Sequence, residues 1–490
     1  ADNDGKVVVE NVGTYTVDDK GQVTFVPVPS YVGTPTPVTV VESAVLISDD
    51  KTTAIITTKS MYTPTVTDVT MTSENATSTG IQGATQSGTP TFKTSDKSVT
   101  VVKHQLISPE TNQATDSVTI PGEGTYTIEP TTGLVTFVPD PSYKEKGTGV
   151  TVQATDSNGE TSTATYTPTV TPVSLTSTNV TSKDIQGATQ SGTPTFALSN
   201  GAEATTTITG YKLVDPTTGQ ATDKTSVVVQ SVGKYTIDST TGKVTFQPDG
   251  AYKGTPDAIK VEATATVKNA KNETASITKE ATYTPTVIPV TPSSEASETT
   301  GPQGQAQTSV IKYDTADTDA STVNFTKGSA MVETVAKSVE LDKGTVTLLD
   351  ANGAETTTVT VADQGTYSLN KDTNTITFQP LSSFVGKATP VTVQVKDANG
   401  TATTTTYTPT VTAVTPTGAS SVTEGARGTT QTSPVVFDTP DQDNTTVNFN
   451  KGHEKVELDK STLTLVDKTG KEVKEVVVPG EGTYVLKDGV

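Results

Sequence analysis

The chain repeats itself at domain length, and this feature limits its possible folds more than any other. The phrase Tyr-Thr-Pro-Thr-Val occurs four times, beginning at Tyr62, Tyr166, Tyr283 and Tyr407. Solenoid repeats have periods of roughly 20–50 residues, so spacings of more than 100 residues indicate whole domains. The sequence therefore predicts five tandem units, of which the first and last are partial: residues 1–69, 70–173, 174–290, 291–414 and 415–490. We expect the chain to be a piece of a longer repetitive protein, because both ends fall within a repeat.

The composition favours β-structure with thin cores. Only 31% of the residues are hydrophobic and tryptophan is absent. Threonine, a β-branched residue that suits strands, makes up about a fifth of the chain, far above its average share. Each unit is long enough to bury a small core of its own.

Charge and cysteine content exclude several classes of protein. The net charge is −20, which disfavours binding to nucleic acid or to an anionic membrane surface. No cysteine is present, which excludes disulfides, thiolate metal sites and cysteine nucleophiles. The sequence holds no run of 18 apolar residues, so we expect no membrane insertion.

Two hairpins recur within each unit. Tyr126 and Ile128 alternate on one strand, Gly133 supplies a positive φ at the turn, and Val135 and Phe137 return on the next strand. Because tryptophan is absent, we expect these recurrent aromatic residues to be core anchors. They are the tyrosines Tyr15, Tyr126, Tyr235, Tyr367 and Tyr484 and the phenylalanines Phe25, Phe137, Phe246 and Phe378.

The second hairpin is marked by Asn-Gly at Asn158 and again at Asn399, each between two alternating runs. No segment has a 3.6-residue apolar period that would predict a long helix. The segment Ala330–Lys337 is compatible with a single helical turn. Short joints rich in proline and threonine separate the units, and such joints are semi-rigid.

Nothing in the sequence resembles a catalytic centre. The two histidines, His104 and His453, occupy different places in different units, so neither belongs to a repeated site. Neither has a triad or a ligand set nearby, and a filler or surface role is the expectation for both. We expect no enzyme activity and no cofactor, with calcium as the one alternative.

Two acidic loops are the calcium candidates. They share the spacing Asp-x-x-Asp-x-Asp, and their residues are Asp314, Asp317 and Asp319, and Asp438, Asp441 and Asp443. Hard carboxylate oxygens at short spacing can hold Ca²⁺, whereas the alternative is a solvated acidic loop. An internal Lys–Asn crosslink is a further alternative, but Asn324 and Lys327 occur in one form of the repeat only.

Several motifs together resemble the fibril repeat of CshA-type surface adhesins of streptococci and related Gram-positive bacteria. These motifs span Gly124–Thr127, Val135–Asp140, Gly301–Gln305, Gly386–Val393 and Asp397–Gly400, and the closing phrase Tyr-Thr-Pro-Thr-Val-Thr accompanies them. The resemblance implies a long stalk outside the cell, with adhesion in a separate N-terminal region and a C-terminal signal that anchors the protein to the cell wall. It implies no catalytic residues.

From these observations we expect an all-β chain of tandem immunoglobulin-like β-sandwich domains in an extended array. Its expected role is that of a spacer that projects an adhesive domain from the bacterial surface. The partners would be neighbouring repeats of the same chain, and host surface glycoproteins would be reached through regions outside this sequence. The alternative is that the repeats themselves bind host glycoproteins or other cells weakly and multivalently.

Overall fold

The structure is a computed structural model that describes residues 5–314, 319, 321–437 and 447–487. Its described part is built from β-strands, with two short 3₁₀ segments at Ala202–Ala204 and Lys460–Thr462 and no α-helix. The expected all-β class and tandem immunoglobulin-like sandwiches are confirmed. We refer to the five units predicted from the sequence as repeats 1 to 5.

Repeat 2 shows how a complete unit is built. Its strands are Met71–Glu74, Ala76–Ile81, Gln86–Gly88, Thr91–Thr94, Val101–Ile107, Ala114–Thr115, Ser117–Ile120, Gly124–Ile128, Val135–Pro139, Val150–Asp156 and Thr161–Thr171. One sheet has five strands, in the order Ala114–Thr115, Val101–Ile107, Val150–Asp156, Thr161–Thr171 and Ala76–Ile81. The opposing sheet has four strands, in the order Ser117–Ile120, Gly124–Ile128, Val135–Pro139 and Gln86–Gly88. The core lies between the two sheets.

Repeat 3 has the same topology. Its strands are Leu175–Thr178, Val180–Ile185, Gln190–Gly192, Thr195–Leu198, Thr206–Val214, Ala221–Thr222, Ser226–Val229, Gly233–Ile237, Val244–Pro248, Ile259–Lys268 and Thr274–Ile288.

Repeat 4 has more strands than repeats 2 and 3. Its strands are Ser293–Glu295, Ser297–Pro302, Gln307–Tyr313, Thr322–Thr326, Ser329–Val332, Val335–Ser338, Leu341–Leu349, Glu355–Thr356, Thr358–Val361, Gly365–Asn370, Thr375–Pro380, Gly386–Lys387, Val391–Asp397 and Ala402–Thr412.

Fewer strands are present in the described parts of the outer two repeats. Repeat 1 has Lys6–Val9, Gly13–Val17, Val23–Pro27, Val38–Ile47 and Thr53–Tyr62. Repeat 5 has Thr417–Gly418, Val435–Phe437, Val447–Asn450, Leu465–Val466, Glu472–Val473, Glu475–Val478 and Gly482–Val485.

Both predicted hairpins are confirmed. In the first hairpin Tyr126 pairs with Phe137 and Ile128 pairs with Val135, and Gly133 has a φ of 75° in the connecting turn. In the second hairpin strand Val150–Asp156 pairs antiparallel with strand Thr161–Thr171. The alternation of apolar and polar residues therefore correctly predicted which strands pair and which side chains face the core.

The recurrent aromatic residues form the centre of each core, as expected. Tyr126 and Phe137 are fully buried, and their ring centroids lie 4.5 Å apart. The same pair recurs in repeats 3 and 4, with ring centroids 4.6 Å apart in both. Aromatic pairs at this separation add stability beyond the apolar area that they bury. Tyr484 is the exception, since it is 61% exposed, and among the described residues its strand pairs only with Glu475–Val478.

The segment Ala330–Lys337 does not form a helical turn, and that expectation was wrong. Strands Ser329–Val332 and Val335–Ser338 pair as a hairpin, with Glu333 at a φ of 54° in the tight turn. Val332 is buried against Ile185 of the preceding repeat. The β-branched valines and this contact favour the strand conformation over the helical turn.

In every complete repeat the first long strand lies parallel to the last strand. In repeat 2 strand Ala76–Ile81 pairs with residues 166–171, so that Tyr166 lies opposite Ala76 and Thr171 lies opposite Ile81. Repeats 3 and 4 have the same parallel register. Since the last strand leads directly into the next repeat, this strand pair positions the joint between repeats.

Candidate functional site at the joints between repeats

In each complete repeat a glutamine lies at the end of the sandwich that faces the next repeat. These residues are Gln82, Gln186 and Gln303, each directly after the first long strand, and each backbone N–H donates to the last strand over 2.8 Å. Each side chain Nε2 also donates to a carbonyl of a loop in the opposing sheet. The acceptors are Pro141 O at 2.7 Å, Gly250 O at 2.8 Å and Ser382 O at 2.8 Å. One residue therefore connects both sheets at the end of the sandwich.

The same side chain holds the segment that leads to the next repeat. Gln82 Oε1 accepts a hydrogen bond from the Val173 N–H at 3.1 Å, and Gln303 Oε1 accepts one from the Val414 N–H at 3.3 Å. Gln82 is 3% exposed and Val173 is 6% exposed. Buried amide groups need such partners, so the glutamine fixes the direction in which the chain leaves the repeat.

The joint between repeats 2 and 3, here the second joint, is mostly polar. Thr205 Oγ1 of repeat 3 donates to Gln82 O at 2.7 Å, and Asn269 Nδ2 donates to Pro139 O at 2.8 Å. Lys271 Nζ donates to a threonine hydroxyl of repeat 2 at 2.6 Å. Gly83 allows this close approach, since a Cβ there would lie 2.9 Å from Lys268 O.

The joint between repeats 3 and 4, here the third joint, contains an apolar cluster. Ile185, Val290, Val332 and Val339 pack together and are each at most 8% exposed. The additional hairpin of repeat 4 supplies Val332 to this cluster and also Lys337, whose Nζ lies 2.6 Å from Asp184 Oδ2.

Polar contacts accompany this cluster. Asn399 Nδ2 of repeat 4 donates to Gln186 O at 2.9 Å. A Cβ at Gly187 would overlap the Asn399 side chain in its present position, so the glycine leaves room for this hydrogen bond. The turn that carries Asn399 thus reaches the third joint as the turn that carries Asn269 reaches the second.

A second network ties the first strand to the last within each complete repeat. In repeat 2 the Ser78 hydroxyl donates to Gln86 Oε1 at 2.6 Å and lies 2.7 Å from the Tyr166 hydroxyl, while Gln86 Nε2 donates to Thr169 O at 3.1 Å. The same arrangement recurs in repeats 3 and 4. Burial raises the pKa of the Tyr166 hydroxyl, which keeps it protonated as a hydrogen-bond donor.

The histidines have local roles, as expected for filler or surface residues. His104 is 9% exposed, its Nδ1 lies 3.2 Å from Pro130 O, and its ring packs near Phe92. His453 and Gln303 line the same cavity at the joint between repeats 4 and 5, and His453 Nδ1 accepts from the Lys455 N–H. Among the residues that the structure describes, neither histidine has the partners of a triad.

Of the six calcium candidates, Asp314 and Asp319 lie in the described part. The Asp314 N–H donates to Phe325 O, and Asp319 Oδ1 accepts the Ser321 N–H at 2.9 Å. The remaining candidates, Asp317, Asp438, Asp441 and Asp443, lie outside the described residues. Within the described ranges no three His, Cys, Asp or Glu side chains come together to hold a metal ion. Calcium at these loops stays a prediction.

The crosslink alternative requires a lysine and an asparagine on facing strands. Asn324 lies on strand Thr322–Thr326 and Lys327 directly follows it, so the two residues do not face each other. Lys327 Nζ is instead 2.9 Å from Glu340 Oε1. This pair therefore does not have the geometry that the crosslink requires.

The joint glutamines were visible in the sequence only as part of a recurring phrase. The shared stretch that begins Ile-Gln-Gly at Ile81 and Ile185 contains both residues, and the related Gly301–Gln305 contains the third. Their recurrence without an apolar pattern was the available signal. The hydrogen-bond partners of the Gln82 side chain lie at least 59 residues away along the chain, so the sequence did not identify them.

Comparisons with known proteins agree with the repeat organisation. A family model described as the surface adhesin CshA repetitive domain matches five consecutive ranges: residues 1–66, 68–170, 172–287, 289–411 and 413–489. No curated protein sequence matches the chain. In the part of the chain that the structure describes, no helix is long and apolar enough to cross a membrane.

Several solved structures of tandem domains are similar to the chain. Mouse cadherin-23 EC22-24 is 16% identical, with a TM-score of 0.27, and the match covers 71% of this chain and 100% of that one. The I9-I11 tandem from titin is 11% identical, with a TM-score of 0.26 and the same coverage. The human desmocollin-1 ectodomain is 12% identical, with a TM-score of 0.22, covering 85% of this chain and 75% of that one.

Proposed function

Because the chain belongs to the family of CshA repetitive domains of surface adhesins, we propose that it is a structural stalk of such an adhesin. In this role the repeats project an adhesive region, carried elsewhere in the parent protein, away from the cell wall of a Gram-positive bacterium. The proposed work of each repeat is geometric and not catalytic. Host glycoproteins would be partners of the adhesive region and not of the repeats.

The single observation that carries this proposal is the recurrent joint. Each complete repeat uses a glutamine at the same place to connect its two sheets, and in the second joint this residue also binds the outgoing chain and the next repeat. A flexible string of binding modules would not need buried hydrogen bonds across its joints. Ordering a joint costs conformational entropy, which these contacts must offset.

Burial of the recurrent aromatic residues also supports a stalk. A repeated adhesive surface would need an apolar or aromatic patch that is exposed in the same place on every unit. Tyr126, Tyr235 and Tyr367 are instead at most 1% exposed, as are their phenylalanine partners. The shared large side chains of the complete repeats therefore build cores.

Small-angle X-ray scattering on the 490-residue chain tests the stalk. A compact globule of this length has a radius of gyration of about 23 Å, whereas a rod of stacked domains should give roughly 50–60 Å with a folded cross-section. An unfolded chain should give roughly 80 Å and no compact cross-section. We expect the rod. A compact particle would overturn the proposal and direct attention to surfaces between repeats that pack on one another.

A further inference from the structure

The turn Asp-Ala-Asn-Gly occurs twice in repeat 4, at residues 350–353 and 397–400. In both copies the aspartate Oδ1 accepts the backbone N–H groups of the second and fourth residues that follow, over 2.8–2.9 Å. The glycine N–H donates to the aspartate carbonyl at 2.9 Å in both copies, and φ is 79° at Gly353 and 83° at Gly400. Repeat 4 therefore contains the same local conformation twice.

The asparagines of the two turns differ in their surroundings. Asn352 is exposed, as are the residues on either side of it. Asn399 is half-buried at the third joint, where its Nδ2 donates to Gln186 O of repeat 3 at 2.9 Å. Its side chain also packs directly against Gly187, and its backbone lies against Gly250 of the same repeat. The joint is thus the main difference between the two turns.

An asparagine followed by glycine is prone to deamidation, because glycine has no side chain to hinder attack by its own nitrogen. At the third joint the Gly400 nitrogen bonds to Asn399 Cγ and loses its proton to solvent, while the Cγ–Nδ2 bond breaks and ammonia leaves. Water then opens the succinimide ring at either carbonyl, which gives aspartate or isoaspartate. One water is consumed and one ammonia is released, so the reaction needs no other reactant.

The closed joint opposes the first step of this reaction. Ring closure moves Asn399 Cγ toward the Gly400 nitrogen, and the Asn399 amide must leave Gln186 O for this movement. Gly187 packs against the side-chain oxygen and restricts its rotation further. Asn352 is exposed and is under no such restraint from the residues that the structure describes. The same turn should therefore react faster at Asn352 than at Asn399.

We propose that Asn399–Gly400 is a deamidation site that becomes reactive when the third joint opens, and that its reaction then keeps the joint from closing. The product has a carboxylate in place of the amide that donates to Gln186 O, so two acceptor oxygens face each other across the joint. Such a pair lacks a donor and is unfavourable when it is shielded from water. The isoaspartate product also adds a methylene group to the backbone of the turn. An opening of the joint is thereby recorded as a permanent covalent change.

Incubation of the full chain in mildly alkaline buffer, followed by trypsin digestion and mass spectrometry, tests the first part of the proposal. Asn352 and Asn399 fall in separate tryptic peptides, residues 344–371 and 397–427. Asn399 should deamidate roughly tenfold more slowly than Asn352, because its reaction must first break a half-buried hydrogen bond.

Two substitutions that loosen the joint provide the link to its opening. Ile185→Ala and Val332→Ala remove apolar contacts from opposite sides of the third joint. Each should raise the deamidation rate of Asn399 toward that of Asn352 and leave the rate of Asn352 unchanged. The exposed asparagine thus serves as an internal reference in every sample.

Asn399→Asp measures the consequence of the reaction. It should accelerate hydrogen exchange in the hairpin Ser329–Val332 and Val335–Ser338 at least fivefold, since the joint loses a hydrogen bond. Asn352→Asp is the matched control in the identical turn and should leave this exchange unchanged.

Four outcomes would each overturn the proposal. They are equal deamidation rates at the two asparagines, no deamidation at either, an Asn399 rate that both joint substitutions leave unchanged, and unchanged exchange of the hairpin in Asn399→Asp. None of these readouts depends on the stalk role.

Discussion

The second and third joints start from the same glutamine and are reinforced in opposite ways. The second joint relies on hydrogen bonds from Thr205, Asn269 and Lys271. The third joint gains a buried apolar cluster because repeat 4 carries the extra hairpin Ser329–Val332 and Val335–Ser338. One repeat design therefore accommodates joints of different chemistry, and the difference comes from the extra hairpin of repeat 4 and not from the sandwich that the repeats share.

The largest expected effect is unfolding of the repeats themselves at high pH, in contrast to the loosening of a single joint. Burial raises the pKa of six core tyrosines, Tyr126, Tyr166, Tyr235, Tyr283, Tyr367 and Tyr407. An unfolded tyrosine has a pKa of about 10, so the stability linked to these groups is fully present below that pH. It is lost as the pH rises through the raised folded-state values. We expect cooperative unfolding of repeats 2 to 4 above about pH 10.

Circular dichroism and tyrosinate absorbance, followed together against pH, measure this transition. The two signals should change at the same pH, because the buried hydroxyls ionise only when the sandwiches open. Ionisation of all tyrosines near pH 10 with an unchanged β-sheet signal would contradict the expectation. The contacts at the second and third joints should be lost together at high pH, because the repeats that form them unfold. The substitutions described below should instead affect one joint at a time.

Ile185→Ala should weaken the third joint selectively. Removing a buried isoleucine side chain costs about 2 kcal/mol or more, and Ile185 is 5% exposed in the apolar cluster. Hydrogen exchange of amides in the hairpin Ser329–Val332 and Val335–Ser338 should accelerate roughly thirtyfold by that cost. Ile81→Ala is the matched control at the equivalent position of repeat 2, where the side chain is only half-buried.

Equal acceleration at both joints would contradict the distinction between them. The measurement would then show that the isoleucine stabilises its own sandwich and not the contact with the next repeat. A normal exchange rate in the first hairpin of repeat 3, around Tyr235 and Phe246, would confirm that the sandwich itself stays folded.

The hairpins and cores of the repeats could be predicted from sequence because their signals are local. Alternation around Tyr126 and Phe137 fixes the inward face, and Asn158 with the following glycine fixes a turn. The local pattern of the extra hairpin at the third joint is instead compatible with a helical turn, because the hairpin conformation depends on Ile185, more than 140 residues earlier. Local patterns carry no information about such a contact.

The joints themselves were beyond sequence reasoning for the same reason. Gln82 has partners near residues 141, 173 and 205, and no spacing rule links these positions. The difference between Asp156 and Asn269 was equally invisible, since both residues suit the first position of a turn. Only the structure shows that the Asn269 amide reaches Pro139 O of the preceding repeat.

Gln82→Ala should loosen the second joint by a smaller amount than Ile185→Ala loosens the third. Loss of the side chain leaves the buried Val173 N–H and the Pro141 carbonyl without their partner, which costs about 1–2 kcal/mol. Exchange of the Val173 amide should accelerate at least fivefold. Gln186→Ala should change its joint less, because the apolar cluster remains. Gln113→Ala, at an exposed loop position, is the control.

The smallest expected effect is the dependence of hydrogen exchange at the joints on salt concentration. Lys337 Nζ lies 2.6 Å from Asp184 Oδ2, with the lysine side chain 40% exposed, so this pair contributes about 0.5 kcal/mol and is screened by ions. Lys271 in the second joint binds a neutral hydroxyl instead, which screening barely affects. Lys337→Ala should therefore remove the salt dependence of hydrogen exchange in the third joint, whereas Lys271→Ala should weaken the second joint equally at low and high salt. If both variants responded to salt in the same way, charge pairing would not distinguish the joints, and the apolar cluster alone would account for their difference.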